Sequence, residues 1–208
     1  MTGRAAAERA ALADALTTVG PDAPTLCEGW TAADLAAHVY VREHRPDATA
    51  GVLPLGPLSS YTERIMRSAL RVHGFAALVE AIRTAPPWLR IGRVDDAVNT
   101  VEMFVHTEDV RRANGMPART HDDAFETAIW RRLSRQARLS FRRVAATVTL
   151  TPTVVGGGST AVGKGGPAVT VTGPPSELLL LAYNRKEHAR LTIAGPGAEA
   201  LRDAKLGM

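Results

Sequence analysis

The spacing of the apolar residues changes once along this chain, at about Ala145. Before that residue, apolar side chains recur every three to four positions, which is the period of amphipathic helices. After it, the segments 145–155 and 167–173 alternate β-branched with polar residues in the period of half-buried strands. The predicted fold class is therefore α+β, with an N-terminal up-down helix bundle over residues 1–143 and a small C-terminal α/β domain over residues 144–208.

Glycine and proline residues divide the helical part into five predicted helices. The second helix is capped by Thr31, with Asp34 where a capping box places its acidic residue, and Pro46 stops it. A long third helix is predicted from about Leu58 to Thr84. The first, fourth and fifth helices are predicted over about 2–18, 94–113 and 122–143.

Two histidines and a glutamate are the candidate functional residues on these helices. Glu102 and His106 are four residues apart on the fourth helix, so they share one face, one turn apart. His38 lies on the second helix, and an antiparallel neighbour could bring it to the same place. Two imidazoles and a carboxylate form the ligand set of an open metal site. The alternative is a surface Glu–His pair, but the surrounding helix is largely apolar, and a metal would compensate a buried carboxylate.

Three further residues lie close in sequence to these ligands. Asp109, one turn after His106, and Asp34, one turn before His38, could accept the second ring N–H of each histidine, with ordinary surface acids as the alternative. Cys27 is the single cysteine of the chain, and its expected role is that of a small buried hydrophobic residue rather than a nucleophile.

Composition excludes several classes of protein. The 208 residues are enough to bury a real core. The longest aliphatic run, 178–182, is far too short to span a membrane, and the N-terminus has no apolar segment like that of a signal peptide. A single cysteine excludes an internal disulfide framework and fits a reducing compartment, so the predicted location is cytoplasmic.

The net charge of +4 comes largely from a basic stripe on the fifth predicted helix. This arginine stripe consists of Arg131, Arg135, Arg138 and Arg142. A solvated helix face is the expected role, and a face for an anionic partner is the alternative. No aromatic residues interleave with the arginines, as a single-strand-binding surface would require, so nucleic acid is not an expected partner. A membrane is not expected either, because no apolar run is long enough to span one.

Three segments of the chain together resemble one protein family. They are LCEGWTAADLAAHVYVREHRPDA, VEMFVHTEDVRRA and GPPSELLLLAYNR, in that order along the chain. They resemble the mycothiol-dependent maleylpyruvate isomerase family of actinobacteria, which is one of the DinB-like metal-binding bundles. The arginines of the first two segments look more like those of an uncharacterised metal-binding subgroup than those of the isomerase itself.

The resemblance implies a DinB-like bundle followed by a small α/β domain. It also implies a divalent metal, usually zinc, held by His38, Glu102 and His106, with iron or nickel as alternatives. The metal would bind the thiol of mycothiol, a low-molecular-weight thiol of these bacteria. By the same resemblance, Arg185 matches a C-terminal arginine that assists catalysis.

Three functional hypotheses follow from these residues and this resemblance. The first is a mycothiol-dependent transferase or cis–trans isomerase that adds a metal-activated thiol to a small electrophile, with Arg185 binding a substrate carboxylate or steadying negative charge. The alternative is a non-catalytic metal-binding regulator that uses the arginine stripe to bind a partner. A third is an iron oxygenase, because two histidines and one carboxylate also hold non-haem iron.

Overall fold

The computed structural model describes residues 3–44, 57–87, 92–154 and 156–207. Its internal contacts divide the chain into two compact units, Met1–Ala118 and Arg119–Met208. The described part of the first unit is helical, and the second unit contains a four-stranded sheet. The predicted α+β class, with a helical N-terminal region, is therefore confirmed.

The first unit is built from helices that pack around one apolar core. The described helices are α1 (Arg4–Val19), α2 (Ala32–His44), α3 (Pro57–His73), α4 (Phe75–Thr84) and α5 (Gly92–Ala113). Helix α1 packs most extensively against α5 and α4, while α2 packs against α3 and α4. Leu12, Leu16, Leu35, Ile82 and Met103 are fully buried in this core. Burial of such side chains is the dominant favourable term in folding the unit.

The start of α2 is the capping box that the sequence predicted. Thr31 Oγ1 accepts a hydrogen bond from the backbone N–H of Asp34 at 3.3 Å, and Asp34 Oδ2 accepts from the backbone N–H of Thr31 at 2.9 Å. This exchange satisfies backbone donors that a helix start otherwise leaves unpaired. The capping box fixes the residue at which α2 begins. His38 lies two turns further along the helix and is buried.

The predicted long helix from Leu58 to Thr84 is wrong in one respect, because the structure has two helices there. Gly74 separates α3 from α4 and adopts a φ of 77°. Only glycine takes such a backbone conformation without steric cost, so the chain turns at this residue. The second helix then packs Leu78 and Ile82 into the core.

The second unit combines helices with a mixed sheet. Its described elements are α6 (Asp123–Ser140), β1 (Thr147–Pro152), β2 (Thr160–Val162), β3 (Ala168–Gly173), α7 (Pro175–Ala182), β4 (Thr192–Ala194) and α8 (Ala198–Asp203), with a 3-10 turn at Lys186–His188. The strand order is β2-β1-β3-β4, with β1 and β3 parallel and the other pairs antiparallel. Every residue of α7 is buried, as expected for a helix without a polar face.

Helix α6 belongs to the second unit by its contacts. It packs against α7, and Glu126 on α6 accepts hydrogen bonds from the backbone N–H and the hydroxyl of Ser176 at 2.8 and 2.7 Å. The division by contacts therefore falls before α6, whereas the predicted boundary between 1–143 and 144–208 falls after it. The apolar face of α6, with Ile129 and Leu133 buried, accounts for this placement.

The arginine stripe lies on the outer side of α6. Arg131, Arg135 and Arg138 are exposed, and Arg142, just beyond the helix, donates to the carbonyl oxygen of Leu139 at 2.9 Å.

None of the helices in the described ranges has the length and apolar character that a membrane crossing requires.

Candidate metal centre

The three predicted metal ligands lie together in the first unit. Helix α2 carries His38, and α5 carries Glu102 and His106 on one face. The rings of His38 and His106 have their centres 5.4 Å apart in an edge-on arrangement. Both histidines are buried, so the site has formed inside the helical unit rather than on its surface.

The donor atoms of these residues are spaced as metal ligands are. Glu102 Oε1 lies 3.2 Å from His106 Nε2 and 3.8 Å from His38 Nε2. All three donor atoms lie within 4.8 Å of one another. Two nitrogen or oxygen ligands of a tetrahedral zinc ion lie about 3.3 Å apart, given bonds of about 2.0–2.1 Å. The residues therefore fit a divalent cation, with further coordination positions left open.

Glu102 is held in its ionised form. Burial by itself would raise the pKa of this carboxyl group, but hydrogen bonds from His106 and His38 outweigh it and bring the pKa well below its ordinary value. The guanidinium of Arg42 adds to the effect, with its Nε 3.5 Å from Glu102 Oε1. An ionised carboxylate is the form that binds a cation.

The two histidines have opposite pKa shifts. Burial is the largest influence on His38 and lowers its pKa, so its ring is neutral and can offer a lone pair. Burial would also lower the pKa of His106, but hydrogen bonds with Asp109, Cys27 and Glu102 raise it well above the ordinary value. His106 is therefore protonated at neutral pH until a cation replaces the proton.

Asp109 takes the outer position that the sequence suggested. Its Oδ2 lies 3.1 Å from His106 Nδ1, and because an ionised carboxylate only accepts, Nδ1 carries the proton. That leaves Nε2 to face the metal position. Asp34 has a different role, because its Oδ2 accepts from the backbone N–H and the hydroxyl of Thr31 at the start of α2.

Two neighbours of the site were not predicted as functional. Arg42 lies one turn after His38, and besides Glu102 it contacts Asn99, donating from Nη1 to Oδ1 at 2.7 Å. Arg42 follows His38 by four residues, and this spacing could have predicted from the sequence that both lie on the same face of α2. Cys27 packs against the apolar core but is half-buried rather than fully buried as predicted, and its Sγ lies 3.3 Å from Asp109 Oδ2.

The remaining predicted site residue, Arg185, lies in the second unit. It follows α7, and its Nη1 donates to the carbonyl oxygen of Tyr183 at 2.6 Å. Its catalytic role stays a prediction.

Replacing Asp109 by asparagine is expected to weaken zinc binding by about 10–100-fold, because an amide holds the N–H of His106 less strongly than a carboxylate does. Competition against a chromophoric chelator measures the affinity. Asp14→Asn is the matched control, since Asp14 lies in the same unit and its side chain is 70% exposed. Wild-type affinity in a folded Asp109→Asn protein would contradict the outer-ligand role.

Comparison with family models agrees with the first of the three segments noted in the sequence. A family model described as "Mycothiol maleylpyruvate isomerase N-terminal domain" matches residues 2–56. The predicted family resemblance is confirmed over these N-terminal residues. The matched region contains His38 and ends before Glu102 and His106, so this comparison does not bear on the pair on α5.

Solved structures of a mycothiol-dependent maleylpyruvate isomerase are also similar to this chain. One has 17% sequence identity, a TM-score of 0.49 and coverage of 92% of this chain and 90% of that chain. A histidine-to-alanine mutant of such an isomerase has 14% identity with the same TM-score and coverage. No curated protein matches the chain significantly.

Proposed function

We propose that this protein is a divalent-metal-dependent enzyme that uses mycothiol and adds or transfers its thiol to a small electrophile. The observation that carries the proposal is the convergence of His38 Nε2, Glu102 Oε1 and His106 Nε2 within 4.8 Å in the helical unit. The family resemblance supports mycothiol as the thiol and a transferase or cis–trans isomerase as the reaction type. The reducing cytoplasm is the proposed location, since it would keep a single cysteine free.

Zinc is the proposed metal, held by these three side chains. A zinc ion bound there would lower the pKa of a coordinated thiol, so that a thiolate is present at neutral pH. Three protein ligands are the number found in catalytic zinc sites, where the remaining position binds water or substrate.

The surrounding residues prepare the site for that chemistry. Hydrogen bonds from His106 and His38, with the charge of Arg42 as a smaller contribution, keep Glu102 ionised. Asp109 fixes the ring of His106 with Nε2 turned toward the cation. Trp30 packs against His38 with their ring centres 5.0 Å apart, which restricts rotation of the imidazole. Ligands held in this way bind a cation without reorganising first.

Zinc binding is expected to release about one proton near neutral pH. The pKa of His106 lies well above its ordinary value of 6.5, so the metal-free ring carries a proton that the cation displaces. Affinity should therefore fall as the pH is lowered and rise toward the pKa of His106, above which the competition ends. Calorimetry in buffers of different ionisation enthalpy measures the released protons, and a binding enthalpy independent of buffer would contradict the prediction.

Arg185 is proposed to bind a substrate carboxylate or to stabilise developing negative charge. Replacing it by alanine is expected to lower kcat/KM by about 10²–10³-fold, as loss of one charge-stabilising donor does, while zinc affinity is unchanged. Arg190→Ala is the control, since Arg190 is exposed nearby in the chain. Wild-type kinetics in Arg185→Ala would remove this residue from the mechanism without affecting the metal site.

The activity itself is tested with zinc-loaded and chelator-treated protein. Each is supplied with mycothiol and either maleylpyruvate or a chlorodinitroarene, a general acceptor in thiol transfer. Turnover that requires both zinc and mycothiol supports the proposal. Metal binding without turnover of either substrate supports the regulator instead, and oxygen consumption that requires ferrous iron supports the oxygenase.

The regulator has one observation in its favour, which is the exposed arginine stripe on α6. Reversing two of these charges, Arg135→Glu with Arg138→Glu, would weaken binding to an anionic partner in that case. The same variant should have wild-type kinetics if the protein is the proposed enzyme.

A further inference from the structure

Cys27 lies in a loop that the helical unit holds firmly. The backbone N–H of Leu26 donates to the carbonyl oxygen of Asp109 at 3.1 Å, which ties the loop to α5. Within the loop, the N–H of Cys27 donates to Thr25 Oγ1 at 3.2 Å, and that of Trp30 donates to the carbonyl oxygen of Cys27 at 2.9 Å. These contacts fix the backbone of Cys27, so that only rotation about its Cα–Cβ bond moves the thiol.

The thiol, His106 and Asp109 form a second group of three donors. Cys27 Sγ lies 3.3 Å from Asp109 Oδ2, and His106 Nδ1 lies 3.1 Å from the same oxygen. All three donor atoms lie within 4.8 Å of one another. A tetrahedral zinc ion with a sulfur bond of about 2.3 Å and an oxygen bond of about 2.0 Å would place these two ligands about 3.5 Å apart. The observed separations are close to those of a coordinated ion.

We propose that Cys27, His106 and Asp109 form a second, thiolate-containing site for a thiophilic cation such as Zn²⁺, Cd²⁺ or Co²⁺. On binding, the sulfur–hydrogen bond of Cys27 and the Nδ1–hydrogen bond of His106 break, both protons pass to solvent, and the sulfur and Nδ1 each form a bond to the metal. Asp109 changes from a hydrogen-bond acceptor to a ligand. A thiolate ligand selects softer cations than the carboxylate and imidazoles of the first site do.

The two sites share His106 but use different nitrogens of its ring. The first set uses Nε2, whereas the Cys27 set uses Nδ1. A neutral imidazole has one lone pair to offer, so the two sets are alternatives for a single ion. A thiophilic cation would then bind Cys27, His106 and Asp109, and His106 would no longer be available as a ligand in the site proposed for catalysis.

Cobalt provides a direct probe, because a thiolate–Co²⁺ bond gives a charge-transfer band in the near ultraviolet. Cys27 is the only cysteine of the chain, so a protein freed of small thiols can give this band only through Cys27. The band is expected in the wild type, stronger in His38→Ala, and absent in Cys27→Ser. The double variant His38→Ala/Cys27→Ser should bind Co²⁺ at least about tenfold more weakly than His38→Ala.

Two results would overturn the second site. One is the absence of the band in folded, cobalt-treated His38→Ala, and the other is equal cobalt affinity in His38→Ala and the double variant. In either case Cys27 and Asp109 only hold the ring of His106 in place through hydrogen bonds. Failure of the proposed enzyme is distinguishable, because loss of thiol turnover with the near-ultraviolet band intact removes the catalytic proposal and leaves the Cys27 site in place.

Discussion

The His106→Ala protein is expected to lose metal binding and thiol-transfer activity together. His106 contributes a donor to both groups of candidate ligands, so no other single substitution removes as much. We expect zinc affinity to fall by more than about a hundredfold, since loss of even an outer hydrogen-bond partner of a ligand lowers metal affinity by about 10–100-fold. Elemental mass spectrometry of the purified protein should find about one metal per chain in the wild type and almost none in the variant.

Two further variants make this result interpretable. His73→Ala changes an exposed histidine of the same unit and should retain metal and activity. His38→Ala removes a ligand without taking the hydrogen-bond partner of Asp109, so it covers the case in which His106→Ala fails to fold. Thiol transfer at the wild-type rate in a folded, metal-free variant would rule out the metal-dependent mechanism.

The Arg9→Ala protein is expected to be less stable than the wild type by about 3–5 kcal/mol, the usual cost of breaking a buried ion pair. Arg9 on α1 contacts Glu43 on α2, with Nη2 2.6 Å and Nε 3.2 Å from Glu43 Oε1. Both side chains are 1% exposed, so removal of the guanidinium leaves a buried carboxylate with its main counter-charge gone. Urea unfolding followed by circular dichroism measures the loss.

A surface pair offers the matched control. Arg83 contacts Asp14 at 2.7 Å, but their side chains are 36% and 70% exposed, so Arg83→Ala should cost less than about 1 kcal/mol. Replacing both buried partners, Arg9→Met with Glu43→Leu, should recover most of the stability, because no unpaired charge remains. A loss below about 1 kcal/mol in Arg9→Ala would mean that water or another group compensates Glu43.

The buried pair also bears on the metal centre. Glu43 lies on α2 one turn and a residue after His38, and the preceding residue, Arg42, contacts Glu102. A change that loosens α2 from α1 would therefore shift a ligand as well as lower stability. We expect Arg9→Ala to bind zinc more weakly at temperatures near its unfolding transition, and with wild-type affinity well below it.

The proximity of two candidate metal ligands could be predicted from the sequence because their spacing is local. Four residues along a helix return to the same face, so Glu102 and His106 are adjacent in any structure in which that segment is helical. The capping box at Thr31 and Asp34 is local in the same sense. His38 required one further assumption, that two helices face each other, and the family segments supplied it.

Other features depended on which segments meet. Gly74 ends a helix that apolar spacing alone would continue, because its backbone conformation is settled by the packing of α4. Helix α6 has the same helical pattern as its predecessors, and only its contacts with α7 assign it to the second unit. Amphipathic spacing predicts which face of a helix is buried, but it does not predict which other helix or sheet packs against that face.

The sequence by itself determined the change from helices to strands near Ala145 and the shared face of Glu102 and His106 on α5, because both follow from periods of a few residues. The tertiary structure alone brought Cys27 to Asp109, Arg42 to Asn99 and Arg9 to Glu43. These contacts join residues far apart along the chain, and many pairings of similar residues would satisfy the same local patterns. Burial decides among them, since a charged or polar group withdrawn from water is stable only where the packing supplies its partner.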